Sequence, residues 1–170
     1  MGVHITPEVR SWRLRDADSS LRLLITAFLV VLTSGYAIGL FLVDHTTSGT
    51  PGGVTEEFRG GEGGDQGGEM KFEKSPREMY TFLHNHVFSL SLLFFIVGVI
   101  FNFSSALSGG WKTFLLVEPF FAIVSTFGGL WLLWFAGPGF VWLVIISGIS
   151  MVVCYALMVG LILKELWWRT

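Results

Sequence analysis

Four long apolar runs dominate the pattern of hydrophobic and polar positions along this chain. They lie at about 23–43, 80–103, 114–136 and 141–163, and each exceeds the roughly 18 residues that indicate a transmembrane helix. At about 1.5 Å per residue, each run can cross a hydrocarbon core of about 30 Å with some tilt. Glu118 is the only Asp, Glu, Lys or Arg inside them. The pattern therefore predicts an all-α fold, a four-helix transmembrane bundle.

The polar segments between the runs define the rest of the predicted organisation. It comprises an arm at 1–20, spans at 21–43, 80–103, 113–136 and 141–164, a long loop at 44–79, short connections at 104–112 and 137–140, and a tail at 165–170. The first span is too long for the apolar core of a signal peptide, so we expect it to be retained.

Helix-start signals refine two of these boundaries. Asp18 or Ser19 can cap the first helix. Ser75, Pro76 and Glu78 form a cap, a first-position proline and a third-position acid, so we expect the second spanning helix to begin at Pro76. The preceding stretch, 46–68, is rich in glycine and acidic residues and has the composition of a flexible linker.

Small residues predict close approach between two helices. Gly35 and Gly39 form a GxxxG spacing in the first span, and Ala156 and Gly160 repeat the small-xxx-small spacing in the last. We expect the two pairs to be intramolecular partners, with a dimer face at Gly35 and Gly39 as the alternative.

The distribution of lysine and arginine predicts the orientation. Both termini and the short 104–112 connection share one side and carry seven of these residues, whereas the long loop carries four and many acids. Because cytoplasmic segments are enriched in positive charge, both termini should be cytoplasmic and the loop extracytoplasmic.

With only 14% charged residues against about 25% in soluble domains, we expect a multi-pass protein of a bacterial inner membrane in contact with lipid.

Two histidines stand where the long loop gives way to the second span. His84 and His86 are two residues apart, so on a helix they point about 200° away from each other. One should face the bundle and the other the loop, a partner or water. Since hydrocarbon does not solvate an imidazole, such residues indicate function. His45, at the outer end of the first span, lies at a similar predicted depth.

The residues around these histidines resemble a family of small, four-span bacterial inner-membrane proteins with a His-x-His motif. The matching positions are Thr46, Gly49, Gly53, Val54, Phe58, Arg59, Gly60, Met70, Phe72, Lys74, Ser75, Glu78, His84, His86 and Gly98. The resemblance covers about a third of the chain. It implies the four-span architecture and a shared histidine site, and it implies no reaction.

Several ligands suit such a site. His45 with His84 or His86 would supply the two imidazoles of haem b on facing helices. Copper would be held through His84 and His86, although a third ligand is not evident. A quinone carbonyl could accept a hydrogen bond from a histidine between aromatic walls. The alternative without a ligand is an imidazole pair whose only role is to fix the loop to the bundle.

Three further polar residues are candidates. Arg59 could hold the loop against an acidic group or a haem propionate, or could be a solvated charge. Glu118 lies inside the third span and could bond to Asn102 or pair with Lys112, so we expect Glu118 and Asn102 to be buried polar groups.

Absent motifs narrow the function further. The chain has no CxxCH, no phosphate-binding glycine loop, no HExxH and no nucleophile elbow, and its single cysteine, Cys154, rules out a disulfide framework. A net charge of −2 without a basic soluble domain excludes nucleic-acid binding. We expect a non-catalytic subunit of a membrane electron-transfer complex that binds other membrane or extracytoplasmic subunits. The alternative is a cofactor-free structural or assembly subunit.

Overall fold

The computed structural model describes residues 12–61 and 70–168, so residues 1–11, 62–69 and 169–170 lie outside the described part of the chain. The helices are α1 (Ser19–Thr47), α2 (Pro51–Arg59), α3 (Pro76–Asn102), α4 (Gly110–Ala136) and α5 (Val141–Trp167). A two-stranded antiparallel hairpin, β1 (Gly60–Gly61) and β2 (Lys71–Glu73), joins α2 to α3 with Gly61 opposite Lys71. The four long helices α1, α3, α4 and α5 are apolar and long enough to span a membrane, which confirms the predicted fold class.

The helix starts follow the predicted signals. Asp18 accepts a hydrogen bond from the Leu21 amide at the start of α1. Ser75 and Glu78 exchange the two bonds of a capping box at the start of α3. The second spanning helix thus begins at Pro76, one turn before its apolar run, and the prediction is confirmed.

Helices α3, α4 and α5 form the tightly packed part of the bundle, and neighbours in the chain are antiparallel. A Cβ added at Gly129 of α4 would come 3.1 Å from Val144 of α5, and the hydroxyls of Thr126 and Ser147 are 2.7 Å apart in the same buried seam. Phe94 of α3 packs edge-on against Tyr155 of α5. Cys154 is buried in this seam as a small core residue.

Helix α1 is peripheral to those three helices. Within it only Ile25, Leu29 and Thr47 are buried. Tyr36 stacks on Tyr155 of α5 at 4.4 Å between ring centroids. Between residues 38 and 45 every residue of α1 is exposed, so this stretch stands apart from the other described helices.

The predicted pairing of small residues between the first and last spans is wrong. Gly35 and Gly39 are exposed, and a Cβ added to either would meet no atom within 4 Å. Ala156 and Gly160 are also exposed. The larger side chains of Leu29 and Tyr36 hold α1 to the bundle instead, so the glycine spacing does not determine the contact.

The two ends of the bundle differ in construction. At one end, α2, the hairpin and Lys74 form a folded unit, here called the cap, over the end of α4. At the other end, residues 12–18 lie against the bundle, with Leu14 and Ala17 buried and the Leu14 amide bonded to the Phe103 carbonyl. Part of the predicted arm at 1–20 is therefore packed structure.

The expectation of a flexible linker at 46–68 is wrong for residues 51–59, which form α2. The Thr50 side chain accepts a hydrogen bond from the Gly53 amide, and Pro51 occupies the first helical turn. Val54 and Phe58 lie four residues apart on the helix face that packs on the core. The predicted linker residues 62–68 lie outside the described part of the chain.

Candidate functional site at the cap end

The two histidines of α3 point in different directions, as their spacing predicts. The His84 ring is exposed and stacks only on Phe88 of its own helix, at 6.3 Å between centroids. The His86 ring lies 5.6 Å from the Phe127 ring of α4 and 4.1 Å from the Phe82 ring. Only His86 therefore contacts a neighbouring spanning helix.

One ring nitrogen of His86 is already engaged. Its Nδ1 lies 2.9 Å from the Phe82 carbonyl oxygen, one turn earlier on α3. A proton on Nδ1 makes this a hydrogen bond and leaves the Nε2 lone pair available to a metal or a hydrogen-bond donor. The orientation and the aromatic walls fit a single-point ligand.

His45 lies in the exposed stretch at the end of α1. The described residues contain no group of three or more His, Cys, Asp or Glu side chains that could hold a metal ion. Within the described chain, His86 would need a second ligand from elsewhere to complete a haem or copper site.

Arg59 joins the cap to the bundle. Its guanidinium donates hydrogen bonds to the carbonyls of Leu133 and Trp134, at 3.0 and 2.8 Å. These carbonyls belong to the last turn of α4, where the helix leaves backbone acceptors without intrahelical partners and carries partial negative charge. The partner of Arg59 is thus a helix end, which the sequence analysis had not considered.

The cap has a second anchor on the same helix end. The indole of Trp134 donates to the carbonyl of Lys74 at 2.9 Å. Phe58 of α2 is buried and packs edge-on against Phe82 of α3 at 5.3 Å. Hydrogen bonds to α4 and an aromatic contact to α3 together fix the cap over the bundle.

Two lysines converge on one acid inside the cap. The Nζ atoms of Lys74 and Lys71 lie 2.7 and 3.2 Å from the Glu57 carboxylate, and the Lys71 ammonium also donates to the Thr46 carbonyl at the end of α1. Partial burial by itself raises the pKa of Glu57, but the hydrogen bonds and charges of Lys74 and Lys71 outweigh it and hold that pKa below its ordinary value. The ionised carboxylate therefore links α2 to β2 and to Lys74.

This linkage predicts acid loosening of the cap. Because the folded-state pKa of Glu57 is lowered, its stabilising contribution is fully present above the ordinary glutamate pKa of about 4.3 and is lost as the pH falls through the folded value. We expect amide exchange in α2, corrected for the intrinsic rate, to rise below about pH 4.3. In Glu57→Gln this pH dependence should be absent and exchange should be raised at neutral pH. Equal pH profiles in the two proteins would contradict the assignment.

Glu118 does not have the partners that the sequence suggested. Its Oε1 accepts a hydrogen bond from the Ser150 hydroxyl of α5, and its Oε2 is buried without a hydrogen-bond partner among the described residues. Lys112 instead donates to the backbone carbonyls of Asn102 and Ser104. The expected bond to Asn102 and the expected pair with Lys112 are therefore wrong, because Glu118 points toward α5.

Asn102 is exposed, which corrects its place among the buried polar groups. The carboxylate that organises this end of the bundle is Glu165 of α5, which the sequence analysis missed. It accepts hydrogen bonds from the hydroxyls of Ser104 and Ser105 and from the amides of Ser105 and Ala106. It therefore caps the turn that follows α3.

A polar face on α3 was not among the predicted features. Thr81, Asn85 and Ser89 are four residues apart, lie on one side of the helix and are all exposed. Asn85 lies about 14 Å along the axis from Pro76, within the apolar part of the helix. The four-residue spacing of three polar residues in a spanning helix was the signal for this face.

The comparisons with known proteins bear on the architecture. The chain matches the family model of the Aq_1264_TM transmembrane helical domain over residues 48–170. No curated protein and no solved structure matches it. The matched region begins just after α1 and takes in the cap, the histidine segment and three of the four spanning helices. It covers well over half of the chain, and the protein is therefore an integral, multi-pass membrane protein that belongs to the Aq_1264_TM family of transmembrane helical domains.

Proposed function

We propose that this protein is a non-catalytic subunit of a bacterial inner-membrane complex, with both termini cytoplasmic and the cap on the extracytoplasmic side. Its function is to dock, through the cap, onto a larger membrane or extracytoplasmic subunit. The observation that carries this proposal is a folded cap, tied to the bundle at Arg59 and Trp134. Its strand β2 exposes Phe72 at 79% of its surface, and Met70, just before the strand, is exposed at 65%.

Both parts of that observation favour docking. A flexible linker has no reason to be anchored to a helix end, whereas a docking surface has to be held in one orientation. Large apolar side chains exposed outside the membrane-spanning helices are typical of protein or membrane contacts. The neighbouring Tyr80, at the start of α3, extends the exposed aromatic surface toward the bilayer.

The test is the size of the native complex. Membranes that contain the tagged full-length protein are solubilised in a mild detergent and separated by native electrophoresis. We expect wild type to migrate in a complex larger than a dimer of the chain, and Met70→Ser/Phe72→Ser to lose that complex while it remains folded. Phe121→Ser, which changes an exposed ring on α4 outside the cap, is the control and should retain it. Retention of the large complex by the double variant would refute docking through the cap.

A second candidate function, an electron-transfer subunit that binds haem b or the donating hydroxyl of a quinol, is favoured by the His86 geometry. Its Nδ1 contact to the Phe82 carbonyl is the arrangement found where Nε2 serves as a ligand, and the Phe82 and Phe127 rings flank the imidazole. Because His84 points away and His45 lies in the exposed end of α1, a second residue to hold a haem would have to come from another subunit. Bound haem would supply one-electron chemistry, and His86 would hold and orient it.

An optical spectrum of the purified complex tests this candidate. We expect haem bands, or co-purifying quinone, in wild type and in His84→Ala, and their loss in His86→Ala. Identical cofactor content in wild type and His86→Ala would eliminate the ligand role and leave the docking proposal intact.

A further inference from the structure

We propose that the protein forms a parallel homodimer in the membrane through the exposed face of α3, with Asn85 of one copy bonded to Asn85 of the other. This surface is separate from the cap, so the inference does not depend on docking through the cap. The face comprises Glu78, Thr81, Asn85, Phe88, Leu92, Phe95 and Val99 and is here called the α3 stripe.

The polar part of the stripe lacks partners within the described chain. Asn85 makes no side-chain hydrogen bond to any described residue, and the Thr81 hydroxyl donates only to the Arg77 carbonyl of its own helix. The buried side of α3, which includes Phe94, Val97 and Phe101, lies opposite the stripe and packs into the bundle. In a monomer the Asn85 amide would therefore face lipid, where an unsatisfied amide is costly.

Asn85 lies deep enough in the membrane for the cost of an unsatisfied amide to apply. The Trp134 indole bonds to the carbonyl of Lys74, which places the polar interface near the start of α3. Asn85 is about 14 Å farther along the helix axis at the α-helical rise. A hydrocarbon core of about 30 Å then contains Asn85, so water at the interface cannot solvate it.

The chemistry of the stripe fits a second copy of the same chain. In a parallel dimer, a two-fold axis along the membrane normal brings each residue opposite itself at the same depth. An amide or a hydroxyl is both a donor and an acceptor and can bond to an identical group, whereas a charge would be repelled by its copy. Glu78, at the polar end, is the one charged residue of the stripe, and from Thr81 to Val99 the stripe holds none.

The ends of the stripe support the same arrangement. At its polar end, Arg77 and Glu78 are adjacent and exposed, so Arg77 of each copy would lie beside Glu78 of the other, with opposite charges facing. Below Asn85, Phe88, Leu92, Phe95 and Val99 continue the face at alternating spacings of three and four residues, all exposed. That spacing packs two parallel helices, and a single asparagine in it fixes register and dimeric state.

Disulfide cross-linking in native membranes tests the dimer directly. Wild type is the background, because its only cysteine, Cys154, is buried. Under mild oxidation we expect Thr81→Cys, Asn85→Cys and Phe88→Cys to form a species of twice the chain mass. Val87→Cys, on the opposite side of α3, and Gly39→Cys, on the alternative α1 face, should not. Cross-linking at Gly39→Cys alone, or only to a protein of another mass at Asn85→Cys, would overturn the inference.

A non-covalent measurement tests the dimer without relying on the folding of the cysteine variants. Asn85→Leu keeps the helix and removes the amide, and we expect its dimer dissociation constant in detergent to rise about tenfold. Asn85→Gln, which retains an amide, should recover most of the affinity. An unchanged constant in Asn85→Leu would refute the Asn85 contact. The dimer and the docking through the cap are tested independently, since Met70→Ser/Phe72→Ser should leave the dimer cross-links unchanged.

Discussion

Gly53→Ala should unfold the cap, whereas Gly52→Ala, one residue earlier, should not. A Cβ at Gly53 would lie 1.8 Å from the Thr47 carbonyl oxygen and 2.6 Å from the carbonyl carbon. Both atoms are backbone at the end of α1, so no side-chain rotation can relieve the overlap. We expect a loss of about 3 kcal/mol or more in cap stability, the range of severe overpacking.

Gly52 provides the matched control. A Cβ there would meet nothing within 4 Å, and the residue lies in the same helix, α2. Because alanine favours a helix over glycine by about 0.5–1 kcal/mol, Gly52→Ala should be neutral or slightly stabilising. Hydrogen–deuterium exchange of α2 measures both effects. Equal protection in the two variants would mean that α1 and α2 do not meet as closely at Thr47.

Arg59→Ala should release the cap from the bundle. The substitution removes two charge-assisted hydrogen bonds and leaves the Leu133 and Trp134 carbonyls without those donors. Hydrogen bonds to charged groups contribute about 1.5–3 kcal/mol each, and such pairs are not additive, so we expect a loss of about 2–4 kcal/mol. Exchange should increase in α2 and in the hairpin and remain unchanged in the seam between α4 and α5.

Two further variants make the Arg59 result specific. Arg59→Lys keeps the charge but loses the planar donor fork, so it should recover only part of the protection. Arg15→Ala removes an exposed arginine at the other end of the bundle and should change cap stability by less than about 0.5 kcal/mol. An Arg59→Ala protein with wild-type exchange in α2 would show that the cap is held by its aromatic contacts alone.

The spanning helices could be predicted from sequence because their signals are local. An apolar run of twenty residues needs no tertiary partner to identify it, and Ser75, Pro76 and Glu78 satisfy the first turn of α3 whatever packs beside them. The outcome of the two histidines was also predictable in part, since two residues spaced two apart on one helix point in nearly opposite directions.

The cap was mispredicted because the prediction rested on the average composition of residues 46–68 and not on the position of each glycine. Nine glycines and several acidic residues gave residues 46–68 the average composition of a linker. Gly53 instead permits a close contact with the backbone of α1. Gly60 has a φ of 76°, and a Cβ added to it would lie 2.7 Å from the Glu73 amide nitrogen. Thr50 and Pro51 were a start signal of the same kind as Ser75 and Pro76, but a short helix with two apolar residues has little periodicity to support it.

The amino-acid sequence by itself determined that this protein spans a membrane four times, where two of the spanning helices start, and that polar groups lie at hydrocarbon depth. These follow from local hydropathy and local hydrogen bonding. Only the tertiary structure decided that Arg59 binds the end of α4, that Glu118 faces Ser150 rather than Asn102, and that Asn85 has no partner within the described chain. Such pairings depend on which helix faces meet, and residues far apart in sequence set those faces together.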